Sequence, residues 1–250
     1  MGREFKVDSL RVVISDSREE MGRAAAADAA AYMRRFLEKS REMSAIFAAA
    51  PSQNEMLEHL LQEKNIDWTR VVAYHMDEYV GLAEDAPQRF AHYLDKHVFS
   101  KLPLARIHYL ADEKHGINPA YTEKYMYGHA DICYMGIGEN GHIAFNDPQA
   151  ADLFDPYFAK EVRLDSACRM QQVHDGCFER WEEVPERAVT LTVPALLRSG
   201  KLVCVVPGPT KANAIYDTLN GPVSMACPAS ALRIHPDAAL YLDPQSAALL

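Results

Sequence analysis

The chain has 250 residues, 48% of them apolar, and a formal net charge of −9. That length and composition suit one α/β domain, residues 1–250, and the acidic balance tells against a nucleic-acid partner, which needs concentrated Lys and Arg. Five cysteines (Cys133, Cys168, Cys177, Cys204 and Cys227) are odd in number and form no C-x-x-C pair, which excludes a disulfide framework or zinc motif and points to a reducing, cytoplasmic setting.

In chain order, residues 1–6 carry no apolar h-region, and Lys6 breaks the myristoylation pattern. No apolar run approaches membrane-spanning length, so a soluble protein is expected. Arg11–Ser15 reads as a strand, and Ser17-Arg-Glu-Glu20 opens an Ala-rich helix to about Lys39 with a capping box. Met43–Ala49 is a second strand and Asn54–Lys64 a second helix. A third strand, Thr69–Tyr74, leads to Asp77. Pro87 suits a helix start, with the helix running to about Phe99. Arg106–Leu110 is a strand, Pro119–Gly128 a helix, and Asp131–Met135 an apolar, fully buried strand. Lys201–Val206 and Ala239–Leu242 are late strands separated by a helix over Thr210–Leu219. Such alternation predicts a Rossmann-like three-layer α/β sandwich, a mainly parallel sheet covered by helices on both faces. The polar stretch 160–187, with Trp181 and few periodic apolar positions, reads as a lid or as a surface excursion.

Three glycines, Gly136, Gly138 and Gly141, turn the backbone at the end of the Asp131–Met135 strand and deliver His142 between Asn140 and Asp147. In open α/β sheets ligands bind at that edge. The glycines fit G-x-G-x-x-G, but mid-chain rather than in the first βα unit, so a dinucleotide site is the poorer reading. A histidine held by neighbouring side chains suits proton transfer near neutral pH. Asp77 and Glu78 also follow a strand; one carboxylate of such a pair faces the crevice. The other histidines show no ligand spacing, and no metal is expected.

Two stretches carry a family resemblance. Gly138-Glu-Asn140-Gly-His142-Ile-Ala-Phe-Asn-Asp147-Pro resembles the signature of the glucosamine-6-phosphate deaminase/isomerase family, which shares a superfamily with 6-phosphogluconolactonase. His75-Met-Asp77-Glu-Tyr-Val-Gly81 is similar to that family's Asn-Met-Asp-Glu-Tyr-Val-Gly block, in the same order along the chain. The resemblance implies aldose–ketose isomerisation with deamination of an amino-sugar phosphate, without a cofactor. Asp77 is then the carbon base, His142 the ring-opening group, and Asn140 and Asp147 the residues that orient it. Glu78 is expected to support Asp77 rather than touch substrate.

For the sugar phosphate, the resemblance points to Lys211 in Val206-Pro-Gly208-Pro-Thr-Lys211, to Arg169, to Ser52 and Gln53 in the first loop, and to Gly138 and Gly141 in the glycine turn. The chain departs from the family at three places. Asp147 stands where glutamate is usual, Asn140 where many members carry aspartate, and Ala50-Pro-Ser52-Gln where Gly-Gly-Thr is usual. An amide can hold an imidazole but cannot offset an imidazolium charge, so these departures bear on rate, pH optimum and substrate. The alternatives are a lactonase-type hydrolase, disfavoured by Tyr79 after Asp77-Glu78 where that group carries arginine, and a catalytically weakened sugar-phosphate-binding regulator. A homo-oligomer is compatible with either. Neither gluco- nor galacto-configuration is fixed by these residues.

Overall fold

The computed structural model describes residues 2–112, 116–118, 121 and 129–250. Among them run strands β1 (Arg3–Val7), β2 (Leu10–Ile14), β3 (Met43–Phe47), β4 (Val71–His75), β5 (Asp77–Val80), β6 (Arg106–His108), β7 (Ala111–Asp112), β8 (Gly116–Ile117), β9 (Ile132–Met135), β10 (Ala159–Arg163), β11 (Arg187–Leu191), β12 (Leu202–Val206) and β13 (Ala238–Leu242). The helices are α1 (Arg18–Lys39), α2 (Asn54–Gln62), α3 (Phe90–His97), α4 (Ser166–His174), α5 (Val193–Leu197) and α6 (Ala212–Asn220).

Eight strands form one sheet in the order β1-β2-β13-β12-β9-β3-β4-β6. All neighbours are parallel except the β1–β2 hairpin at one edge. Its central strands are apolar on both faces: on β9, Ile132 and Tyr134 join one core while Cys133 and Met135 join the other. Strands buried on both sides read as continuous apolar runs, which is why these segments were legible. Helices α1 to α4 supply the first core and α5 and α6 the second, giving the expected three layers. Ser17 caps α1 by accepting from the Glu20 amide at 3.1 Å, and Ala25, Ala26, Ala29 and Ala30 are fully buried against the sheet.

Chain direction reverses between β3, which leads toward β4, and β9, which leads toward β12. Loops leaving the carboxyl ends of β3 and β9 therefore diverge and open a crevice there. A second sheet, β10-β11-β5, is antiparallel and begins at Asp77, which pairs with Thr190.

The structure differs from the sequence reading in two ways. The 160–187 stretch is ordered structure, contributing β10, α4 and the start of β11. Helix α3 starts at Phe90 rather than at Pro87, because the buried Glu78 carboxylate accepts from the amides of Phe90 and Ala91, both at 3.0 Å. A remote carboxylate thus performs the capping usually given to a local residue. The helix expected over Pro119–Gly128 lies outside the described residues, Tyr121 apart. No helix among the described residues is long and apolar enough to cross a membrane.

Candidate active site

The crevice holds a pocket of about 580 Å³, open to solvent, lined by the loop after β3, by Asp77, by the glycine turn after β9, by α4 and its exit, and by Lys211. Of the residues singled out in the sequence, Asp77, His142, Gly138, Ser52 and Lys211 line it.

Asp77 is 6% exposed and makes no hydrogen bond among the described residues. Burial, with the Glu78 carboxylate next to it, pushes its carboxyl well above the usual range. Glu78 points the other way, and besides capping α3 it accepts from the Tyr79 amide at 3.0 Å. The adjacent carboxylates therefore have different tasks: Glu78 fixes the loop and Asp77 is left free in the pocket.

The turn after β9 is closed by Gly138 N to His142 O at 2.9 Å and Gly141 N to Gly138 O at 3.0 Å. The His142 ring lies on the Gly138 backbone so closely that a Cβ there would stand 2.1 Å from Cε1. Gly141 has φ +81°, in the left-handed region. Asn146 ties the turn to β11 by donating to the carbonyls of Ile143 and Leu191 at 2.9 and 2.8 Å.

Behind the ring, His142 Nδ1 lies 2.7 Å from Asn140 Oδ1 and 3.1 Å from Asp147 Oδ1. Asn140 Nδ2 donates to Asp147 Oδ1 and Asp165 Oδ2, both at 3.1 Å. Two carboxylates on its NH₂ fix the amide orientation, so Oδ1 faces the ring and Nδ1 carries the proton. Nε2 is then the basic nitrogen. Burial alone would raise the Asp147 carboxyl, but hydrogen bonds from His142 and Asn140, with the Asp165 amide at 3.2 Å, hold it below the usual carboxylate range. Asn140 therefore does not leave the imidazole without a negative partner, because Asp147 reaches Nδ1 itself.

Three sequence-based assignments change. Arg169 does not line the pocket: its guanidinium donates to Val184 O at 3.1 and 2.7 Å and to Trp181 O at 3.1 Å, and stacks 3.8 Å over the Trp181 ring. Its Nε and Nη2 donors hold the 181–184 turn. Gly141 faces Cys227 rather than the pocket. Gln53 sits behind Ser52, donating to Ser52 Oγ at 3.2 Å and to Val205 O at 3.3 Å.

Lys211 is 5% exposed, and its ammonium makes no hydrogen bond or ion pair among the described residues. Burial lowers its ammonium from the ordinary range, partly offset by Asp175 and Glu139. Gln171, Gln172, Asp175 and Cys177 also line the pocket; the sequence carried no signal for them beyond their place in the 160–187 stretch. Among the described residues, His142, Asp147 and Cys168 bring donor atoms within 4.8 Å of one another. Cys168 falls 26 residues after His142 and 21 after Asp147, so spacing could not reveal the group. Burial and the neighbouring Asp147 carboxylate push the Cys168 thiol up, which keeps it a protonated neighbour of the histidine–aspartate pair rather than a thiolate ligand.

Residues 16–241 match the model of the glucosamine-6-phosphate isomerase/6-phosphogluconolactonase family. The chain belongs to that family. A glucosamine-6-phosphate deaminase of Listeria welshimeri is 34% identical over 216 residues, 84% of this chain and 88% of the relative. The Latilactobacillus sakei enzyme of the same name is 35% identical over 190 residues, 74% and 78% of the two chains. Among solved structures, a monomeric glucosamine-6-phosphate deaminase superposes with TM-score 0.84 at 25% identity, covering 96% of this chain and 99% of that one. The 6-phosphogluconolactonase of Trypanosoma brucei, with TM-score 0.78 at 12% identity, covering 99% of this chain and 100% of that one, shares the fold.

Proposed function

We propose that this protein is an amino-sugar-phosphate isomerase/deaminase that converts glucosamine 6-phosphate and water to fructose 6-phosphate and ammonia. The observation that carries the reading is one pocket holding a buried carboxylate and a buried ammonium, each without a partner among the described residues, and an oriented imidazole: Asp77, Lys211 and His142.

Lys211 and the Ser52 hydroxyl bind the phosphate. Gln53 donates to Ser52 Oγ, which leaves the hydroxyl proton free for a phosphate oxygen. His142 Nε2 takes the anomeric hydroxyl proton and returns one to the ring oxygen, opening the sugar. The His142 imidazolium formed in passing is balanced by Asp147 at Nδ1. Asp77 then accepts the C2 proton of the open-chain aldehyde, and its raised proton affinity suits that task. The electron pair forms the C1–C2 double bond and the carbonyl oxygen takes a proton from water, giving the enolamine. Returning the proton to C1 gives the ketose imine, and water adds to C2 as ammonia leaves. The aldehyde itself supplies the acidity, so no organic cofactor takes part.

The 175–186 segment is read as the lid: Asp175 and Cys177 face the pocket while Arg169 staples the 181–184 turn. Five free thiols suit a reducing cytoplasm. Ammonia release from a panel of phosphorylated hexosamines tests the assignment. Turnover of glucosamine 6-phosphate is the expected result; release of acid from 6-phosphogluconolactone with no ammonia from any hexosamine would replace it with a lactonase.

A further inference from the structure

Helix α4 presents three polar side chains in line along one face: Cys168, Gln172 and Asp175, four and three residues apart. Cys168 lies outside the pocket lining, beside His142 and Asp147. Asp175, the C-cap of α4, lines the pocket near Lys211. Gln172 falls between them.

The two glutamines of α4 differ in what is left of their carboxamides. Gln171 is spent at both ends, accepting from the Glu139 amide at 2.7 Å and donating to Asp175 at 3.3 Å. Gln172, 5% exposed, uses only its oxygen, which accepts from the Tyr79 hydroxyl at 2.6 Å. Tyr79 is buried among Phe90, Phe145 and Phe178, and burial keeps its hydroxyl protonated. A flipped amide would confront that O–H with N–H groups and leave it without its acceptor, so the orientation is determined. Both N–H donors of Gln172 are therefore unused among the described residues, on a side chain lining the pocket. The carboxamide nitrogen is thus open to the pocket with no protein acceptor among the described residues, and a ligand oxygen is its natural partner.

We propose that Gln172 is a substrate-contact residue: it donates to a hydroxyl oxygen in the middle of the sugar chain and thereby discriminates hexose phosphates that differ in configuration there. The placement rests on the functional reading above, which sets the reacting carbons at Asp77 and His142 and the phosphate at Lys211, leaving the C3–C4 hydroxyls opposite Gln172. Tyr79 is the positioning residue that aims it.

Binding of open-chain alditol phosphates separates this from a structural role, since they have no carbonyl to react. Gln172→Glu keeps the acceptor for Tyr79 but removes both donors; Gln172→Leu removes the donors without adding charge. Calorimetric titration with glucitol 6-phosphate, galactitol 6-phosphate and inorganic phosphate should show about tenfold weaker alditol phosphate binding in both variants. The preference between the two epimers should shrink, while Gln172→Leu binds inorganic phosphate within about twofold of the parent. Unchanged alditol phosphate affinity in Gln172→Leu, or a loss matched by inorganic phosphate, would overturn the proposal. If the parent protein binds the alditols but releases no ammonia from any hexosamine phosphate, the deaminase reading fails and the Gln172 result still stands.

Discussion

Two buried carboxylates at one edge of the sheet are treated in opposite ways. At the end of β4, Asp77 has no hydrogen-bond donor among the described residues and its carboxyl is pushed up. At the glycine turn, Asp147 is equally hidden but accepts from His142, Asn140 and the Asp165 amide, and its carboxyl is held down. A fold that satisfies one charge and strands the other a short way across the same pocket has separated two tasks. The satisfied carboxylate is a fixed counter-charge; the stranded one is available to take a proton. The Lys211 ammonium, without a partner among the described residues, stands in the same contrast to Arg169, whose Nε and Nη2 donate to backbone carbonyls.

The contrast breaks most visibly at Asp77. Asp77→Asn is expected to lower kcat by about 10²–10⁴-fold with KM nearly unchanged, because the amide preserves shape but cannot accept a carbon-bound proton. His142→Gln should retain turnover limited by spontaneous ring opening, so steady-state assays of both variants should diverge. Next in size, Lys211→Ala should raise KM by roughly 10–100-fold with a smaller change in kcat, since a charge-assisted contact to a phosphate acts in ground and transition states alike. A collapsed kcat at constant KM would remove Lys211 from the phosphate site.

Stability should move in opposite directions at the two carboxylates. Asp147→Asn turns a donor toward the Asp165 amide or toward His142, so chemical denaturation should show a loss of about 1–3 kcal/mol. In the parent, the stability from Asp147 is present above its unfolded value and is lost as pH falls through the lowered folded value. Asp77 has the reverse sign: its folded value is raised, so stability falls as pH climbs from the ordinary carboxylate range to that value. Asp77→Asn should therefore raise the melting temperature at neutral pH by about 2–4 °C per kcal/mol of strain relieved. The acid limb of kcat/KM should lie above the ordinary carboxylate range in the parent, because Asp77 must be ionised to act.

Much of this was legible in the residues themselves. Doubly buried strands such as β9 and β12 announce themselves as apolar runs, and the Asp77 and His142 stretches stand directly after strands. What escaped were long-range pairings. The β10-β11-β5 sheet joins β5 to segments more than 70 residues farther along the chain, and the exposed positions of β10 made 160–187 look irregular. The start of α3 is set by Glu78, twelve residues upstream of Phe90. Arg169 has the residue type of a phosphate ligand, but α4 turns it toward the 181–184 carbonyls, while Gln171, Gln172 and Asp175 line the pocket. A side chain's direction on a helix depends on which face packs, and no local pattern fixed that here.

The central claim is that Asp77 moves the proton from C2 while the His142–Asp147 pair opens the ring. It is tested most directly with glucosamine 6-phosphate deuterated at C2, following label in the fructose 6-phosphate formed and in solvent by NMR. The account predicts that the parent moves deuterium from C2 to C1 or to water, that His142→Gln does so more slowly, and that Asp77→Asn leaves it at C2. Loss of C2 deuterium from Asp77→Asn at a rate near the parent's would contradict it.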